Sequence, residues 1–164
     1  MSNSLSVQHL SIIKKRDHWE TPPNLFTEAC VSYHIKPELD VCATLKDKKC
    51  DEYFGLDHKD PARRNALGME WDSNFFMNPP YTKIDEFMYY AFDQIWKHRV
   101  NALMLTYSKT GNQWWHIYIE NNPIVKTHFI KGRIKFWENG KPSKNVAPYD
   151  SVWLVVKIPK RSKK

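Results

Sequence analysis

The chain reads as a single α/β domain built on a parallel sheet, and three stretches carry that expectation. Ala102-Leu103-Met104-Leu105-Thr106-Tyr107 is almost wholly apolar, as in a strand covered on both faces. Ile84, Phe87, Met88, Ala91, Phe92 and Ile95 recur at the spacing of an amphipathic helix, whose stripe is core. Asn74-Phe75-Phe76-Met77 precedes that helix as a short buried strand. Strand, helix and strand in succession imply parallel neighbours joined by right-handed crossovers.

Taken in order, residues 1–16 are polar and read as a flexible N-terminal segment. Residues 17–158 form the single folded domain, and 159–164 are a basic tail that adds sequence-independent affinity for nucleic acid. Thr21-Pro22-Pro23 opens a helix, with Thr21 as N-cap and proline in the first turn. Leu25, Phe26, Ala29 and Cys30 follow at helical spacing. Leu39 to Ala43 is a short strand ending in small residues. Residues 44–73 give no clear element and are long for a plain connection. Trp114 opens a helix through Glu120, and Ile124 to Ile130 is a further strand. Gly132 to Trp137 alternates basic and apolar residues before Asn139-Gly140, a strong hairpin signal. Ser151 to Ile158 supplies the last strand.

Composition bounds the function. At 164 residues the chain is long enough to bury one core. A formal net charge of +7 favours an acidic partner, with nucleic acid ahead of a membrane surface. The alternative is a surface charge that only solubilises. Three cysteines without a Cys-x-x-Cys pair read as reduced thiols, and the seven histidines do not fall at a metal-ligand spacing with them. With no long apolar run and no basic-then-apolar leader, the expectation is a cytoplasmic protein with no membrane span and no metal.

The chemistry concentrates after the strand at Phe75. Asn78-Pro79-Pro80-Tyr81 forbids continuation of helix or ladder, so a polar side chain sits at a strand's carboxyl end with an aromatic ring three residues on. In open α/β sheets ligands bind in the crevice outside those strand ends. Asn78 and the carbonyl of Pro79 are acceptors, and Tyr81 is a stacking plate. Acceptors beside a plate suit a planar ring bearing an exocyclic NH2. Gripping its hydrogens favours the pyramidal amine, closer to the transition state for attack on an electrophilic methyl. The alternative, that Pro-Pro only ends a strand, is weakened because such a pair at a given place is expected about once in 400 by chance.

Asn78-Pro79-Pro80-Tyr81 resembles the catalytic tetrapeptide of S-adenosylmethionine-dependent amino-methyltransferases. Trp19-Glu20-Thr21-Pro22-Pro23, Leu39-Asp40-Val41-Cys42-Ala43, the tetrapeptide and Lys131-Gly132-Arg133-Ile134-Lys135-Phe136 stand in the order seen in the small phage-type (Dam-like) DNA N-6-adenine methyltransferases. The similarity spans roughly residues 18 to 156. It implies a Rossmann-like methyltransferase fold, a three-layer sandwich with a C-terminal antiparallel hairpin. It implies methyl transfer from S-adenosylmethionine to adenine N6 of a flipped-out DNA base, in the host cell cytoplasm if the gene is a phage's. The tetrapeptide itself, Asn78, Pro79, Pro80 and Tyr81, would be catalytic.

For the cofactor, the resemblance points to Thr21, Pro22, Asp40, Cys42, Ala43, Asp57 and Asn78. Asp40 is equally readable as a strand-end residue that caps a loop, and Asp57 is preferred to Asp60 for the ribose hydroxyls. The Gly-rich loop common in the wider superfamily is missing, since no glycine precedes residue 55. Tyr81, Trp114, Arg133 and Phe136 are the substrate-side candidates. Trp114 could equally be packing, and the basic hairpin could equally be a solvated edge. Competing readings are an RNA adenine, cytosine-N4 or protein-glutamine methyltransferase, or a non-catalytic nucleic-acid-binding module of the same fold. The chain would act on DNA as a monomer or homodimer.

Overall fold

The computed structural model of the chain describes residues 17–159. The flexible segment expected over 1–16 and all but the first residue of the basic tail lie outside the described residues. Among the described residues eight strands are formed: β1 (Leu39–Asp40), β2 (Glu52–Tyr53), β3 (Phe75–Met77), β4 (Ala102–Tyr107), β5 (Val125–Phe129), β6 (Trp137–Glu138), β7 (Lys141–Pro142) and β8 (Ser151–Val156). The α-helices of the same residues are α1 (Pro23–Ser32), α2 (Ile84–His98) and α3 (Gln113–Tyr118). Short 3-10 turns cover Pro61–Arg64 and Tyr81–Lys83.

Six strands make one sheet in the order β2-β1-β3-β4-β8-β5. β2, β1, β3 and β4 pair in parallel, whereas β8 is antiparallel to both β4 and β5. β5 therefore runs with the other parallel strands, and β8 alone is reversed. The sheet is mixed, where the sequence reading expected a parallel one. The reason is connectivity: the chain leaves β5, crosses one face of the sheet, and comes back down the slot between β4 and β5. All six residues of β8 are buried, as a strand between two neighbours requires.

Side-chain alternation divides the core into two layers. Phe75, Met77, Ala102, Met104, Val152, Leu154 and Val156 face α2, α3 and Trp71. Phe76, Leu103, Leu105, Tyr107, Trp153 and Val155 face α1 and the segment carrying Ile134, Phe136 and Ala147. Both faces are thus covered. Replacing Leu103, Leu105 or Leu154 by alanine would cost about 2–5 kcal/mol each. The helix read from the periodicity of residues 84–95 runs on to His98, with Asp85 and Glu86 in its first turn and Lys97 and His98 in its last, complementing the helix dipole.

Three further expectations are revised. The unassigned stretch 44–73 contributes β2 at the sheet edge. The hairpin turns at Asn139-Gly140, both at positive φ (52° and 74°), as a tight β-turn of this hand demands. It is only two residues deep on each side, forms its own small sheet, and precedes the last strand of the main one. The basic-apolar alternation before it is not a strand: Ile134 and Phe136 plug the core while Lys131, Arg133 and Lys135 stay exposed. Among the described residues no helix is long and apolar enough to cross a membrane.

Candidate active site

β3 ends at Met77, and the two prolines turn the chain outward at the sheet's carboxyl edge. Asn78 is half-buried there, and its amide is fixed. Nδ2 donates to the Trp19 carbonyl at 3.1 Å and to Thr21 Oγ1 at 3.2 Å, while the Tyr81 hydroxyl donates to Oδ1 at 3.4 Å. Because a backbone carbonyl only accepts, the atom facing Trp19 must be the nitrogen, so the oxygen points the other way. The Tyr81 ring stacks on Tyr107, with centroids 3.9 Å apart and planes 10° apart. Burial first, then Tyr107 and Asp17, hold the Tyr81 phenol well above its ordinary pKa, so it remains a neutral donor.

Residues 17–21 form a strap across this turn. The Asp17 carboxylate accepts from Thr82 N at 3.2 Å and Thr82 Oγ1 at 2.5 Å. Glu20 pairs with Trp137 through two backbone bonds of 3.0 and 2.9 Å, and its carboxylate accepts from Gly140 N. Trp19 lies on Phe136 at 5.2 Å and donates through Nε1 to Glu138 at 3.0 Å. The strap thereby ties the tetrapeptide to the hairpin. Thr21 does not cap α1 as expected: Pro22 is the N-cap, and the hydroxyl of Thr21 is spent on Asn78.

Beside the strap lies a cleft of 320 Å³, lined by Glu20, Thr21, Phe26, Asp47, Lys49 and Trp137 among others. That volume is at the lower end of small-molecule sites. Of the expected cofactor residues, Thr21 lines it; Pro22, buried on the far side of the strap, lines a second groove. Asp40 is 2% exposed and holds the cleft's loop from below, accepting from Lys49 N at 2.9 Å and Cys42 N at 3.2 Å. Burial raises its carboxyl to about 7 against the pull of those two bonds. The same burial, with Asp40 and Asp47 nearby, pushes the Cys42 thiol well up, so it is a neutral thiol. Ala43 is pinned to the chain just after β2 by its N–H to the Phe54 carbonyl at 3.0 Å. Asp57 is exposed and accepts from Leu45 N at 2.9 Å, bracing the same loop.

The substrate-side candidates separate. Tyr81 stands beside Asn78. Phe136 is fully buried under Trp19, so Trp19 and not Phe136 offers a ring at that place. Trp114 is 1% exposed and belongs to the core layer packed by α2 and α3, away from the face that carries Phe136. Arg133 is exposed, its Nε 3.7 Å from Asp150. With Lys131 and Lys135 it lines the second groove, of 340 Å³, between the start of α1 and the hairpin. Residues the sequence reading gave no role are Asp17, Trp19 and Tyr107. Only Trp19 carried a signal, as the first residue of a recognised block. Among the described residues no group of three or more His, Cys, Asp or Glu is placed to hold a metal ion.

An acceptor of fixed orientation, beside an aromatic ring and a small-molecule cleft at a strand's carboxyl end, can grip an amino group on a planar ring. Comparison with known proteins agrees with that chemistry. A family model described as DNA N-6-adenine-methyltransferase (Dam) matches residues 10–162. The chain is also 26% identical over 125 residues to the DNA N-6-adenine-methyltransferase of Haemophilus phage HP1 (strain HP1c1), covering 76% of this chain and 68% of that one. No solved structure gives a significant match. Since the family model spans nearly the whole chain, the protein belongs to the DNA N-6-adenine-methyltransferase (Dam) family.

Proposed function

We propose that the chain methylates adenine N6 in DNA, using S-adenosylmethionine, on a base turned out of the duplex. The observation that carries the reading is the Asn78 amide, whose nitrogen is tied to Trp19 and Thr21 so that its oxygen points away from them, with one lone-pair direction left beside the Tyr81 hydroxyl. A base amino group inside a duplex is engaged in pairing, so reaching Asn78 requires extrusion of the base. Its N–H then donates to Asn78 Oδ1, and the Pro79 carbonyl is the second acceptor. Both contacts strengthen as positive charge grows on the nitrogen, which makes the stabilisation differential. Tyr81 gives the base the ring face opposite to the one stacked on Tyr107.

We read the sheet as the Rossmann-like methyltransferase fold, supported by its parallel run β2-β1-β3-β4 and by the site outside the ends of β1 and β3. The cleft beside the strap fits the donor: Phe26 offers an apolar ring, Glu20 and Asp47 carboxylates suit cationic groups, and Lys46, Lys48 and Lys49 suit a carboxylate. When bound, S-adenosylmethionine supplies a methyl on a cationic sulfur. Asp40 sets the height of the loop that carries those lysines, and Ala43 keeps the loop against the chain after β2. Lys131, Arg133 and Lys135 are our candidates for DNA phosphates, in keeping with the net charge of +7. The work is done in the cytoplasm, the host's if the gene is a phage's.

The test is transfer of labelled methyl to unmethylated DNA, followed by nucleoside analysis. N6-methyladenine is the expected product. N4-methylcytosine, or label entering RNA or protein but not DNA, would replace this reading with another enzyme of the same chemistry. Failure to bind S-adenosylmethionine would remove the enzyme reading altogether.

A further inference from the structure

The two orientations of an asparagine amide are nearly equal in shape, yet opposite in chemistry. Only the one with Oδ1 facing the base can accept from an amino group; the flipped amide would set two donors against each other. We infer that Thr21 is a positioning residue, whose hydroxyl, with the Trp19 carbonyl, locks the Asn78 amide in the accepting orientation. The inference rests on the proposed reading of the site and deepens it by naming what selects the substrate's functional group.

Each amide hydrogen of Asn78 has its own acceptor, Trp19 O at 3.1 Å and Thr21 Oγ1 at 3.2 Å. Flipping would put Oδ1 against the Trp19 carbonyl, acceptor against acceptor, so that carbonyl sets the sense of the amide; the Thr21 hydroxyl gives the accepting orientation its second bond and holds the amide in its plane. Thr21 is 3% exposed, so water does not readily replace its hydroxyl. The acceptors cannot drift, because the strap is anchored on both sides: Asp17 to Thr82, and Glu20 and Trp19 to the hairpin. Tyr81 donates to Oδ1 and occupies one of its two lone-pair directions, leaving the other for the base. A site locked in this way admits a ring carrying an NH2 at the reacting position and repels one carrying a carbonyl there. The hydroxyl of Thr21 thus steadies the amide whose sense the Trp19 carbonyl sets, while the surface of the residue also lines the donor cleft.

The experiment compares wild-type full-length protein with Thr21→Val, which keeps the shape and loses the acceptor, and Thr21→Ser, which restores the hydroxyl. At saturating S-adenosylmethionine and DNA, Thr21→Val is expected to lower kcat by about tenfold, the effect of a weakened transition-state acceptor. Cofactor Kd should stay within about twofold, because valine keeps the shape Thr21 presents to the cleft and loses only the hydroxyl turned towards Asn78. Thr21→Ser should recover most of the lost rate. A second readout needs neither activity nor the Thr21 variants: the side-chain NH2 of Asn78, assigned by its loss in Asn78→Ala, should exchange with solvent far more slowly than surface asparagine amides. Unchanged kcat in Thr21→Val, or a raised cofactor Kd with unchanged kcat, overturns the lock and returns Thr21 to the cofactor. Rapid exchange of the wild-type Asn78 amide overturns it even if Thr21→Val does not fold. Slow exchange in a protein that methylates no base would support the lock while the proposed function falls.

Discussion

Gly55 offers the sharpest structural prediction, because the room it leaves lies beneath the loop that lines the cleft beside the strap. A Cβ built at this position lies 1.7 Å from the Ala43 carbonyl oxygen, and real Cβ atoms essentially never come closer than 3.0 Å. Gly55→Ala must therefore drive the chain after β1 away from the chain after β2. Two backbone bonds hold them together, Ala43 N to Phe54 O at 3.0 Å and Phe54 N to Asp40 O at 2.9 Å. Losing both costs roughly 1–3 kcal/mol, and the overpacking adds about 1–3 kcal/mol. The total, about 2–6 kcal/mol, is a large share of the roughly 5–15 kcal/mol that stabilises a domain. Urea unfolding measures it, with Gly111→Ala as control, since nothing lies within 4 Å of a Cβ there. Calorimetric titration with S-adenosylmethionine reports the cleft, which should bind more weakly in Gly55→Ala wherever the variant stays folded. A Gly55→Ala protein as stable as the control, with wild-type cofactor affinity, would refute the reasoning.

Other substitutions probe separate parts of the site. Tyr81→Phe loses the hydroxyl on Asn78 Oδ1 but keeps the stack on Tyr107, so single-turnover rates should fall by less than about tenfold with little change in Tm; Tyr81→Ala should lose far more of both. Asp40 titrates near 7 because it is buried, so the folded state holds its proton more tightly than the unfolded chain. Its contribution is greatest below pH 4 and declines through pH 7, on the order of 4 kcal/mol in all. Asp40→Asn should flatten the pH dependence of urea stability over that window, even though it leaves one loop N–H facing a donor. Arg133→Ala should leave folding within about 0.5 kcal/mol, its partner Asp150 being exposed. It should weaken DNA binding and reduce the slope of log K against log salt by about one, measured by fluorescence anisotropy.

What the sequence disclosed follows from the range of the forces involved. The strand at Phe75, the helix from Ile84 and the strand from Ala102 announce themselves through local periodicity, and each stands where it was read. β2 is two residues in a charged stretch and is a strand only because β1 lies beside it. The reversal of β8 depends on its place between β4 and β5, which no local pattern encodes. Asn78 was legible because its prolines are beside it in the chain. Its partners Trp19 and Thr21 are 59 and 57 residues away, so the strap that orients it was invisible beyond the block's bare resemblance. Phe136 and Trp114 show the opposite limit: aromatic residues near a presumed pocket have the composition of a binding surface, and only packing reveals that both are core.

The most direct test of the account is the rate of methyl transfer to adenine in DNA by wild type and Asn78→Ala, both saturated with S-adenosylmethionine and both measured for its binding. Removing the oriented acceptor should lower the rate by about 10²–10³, as for other preorganised hydrogen-bond partners of a transition state, with cofactor affinity changed only a few-fold. An Asn78→Ala protein that forms N6-methyladenine at the wild-type rate would contradict the claim that this amide does the chemistry's gripping.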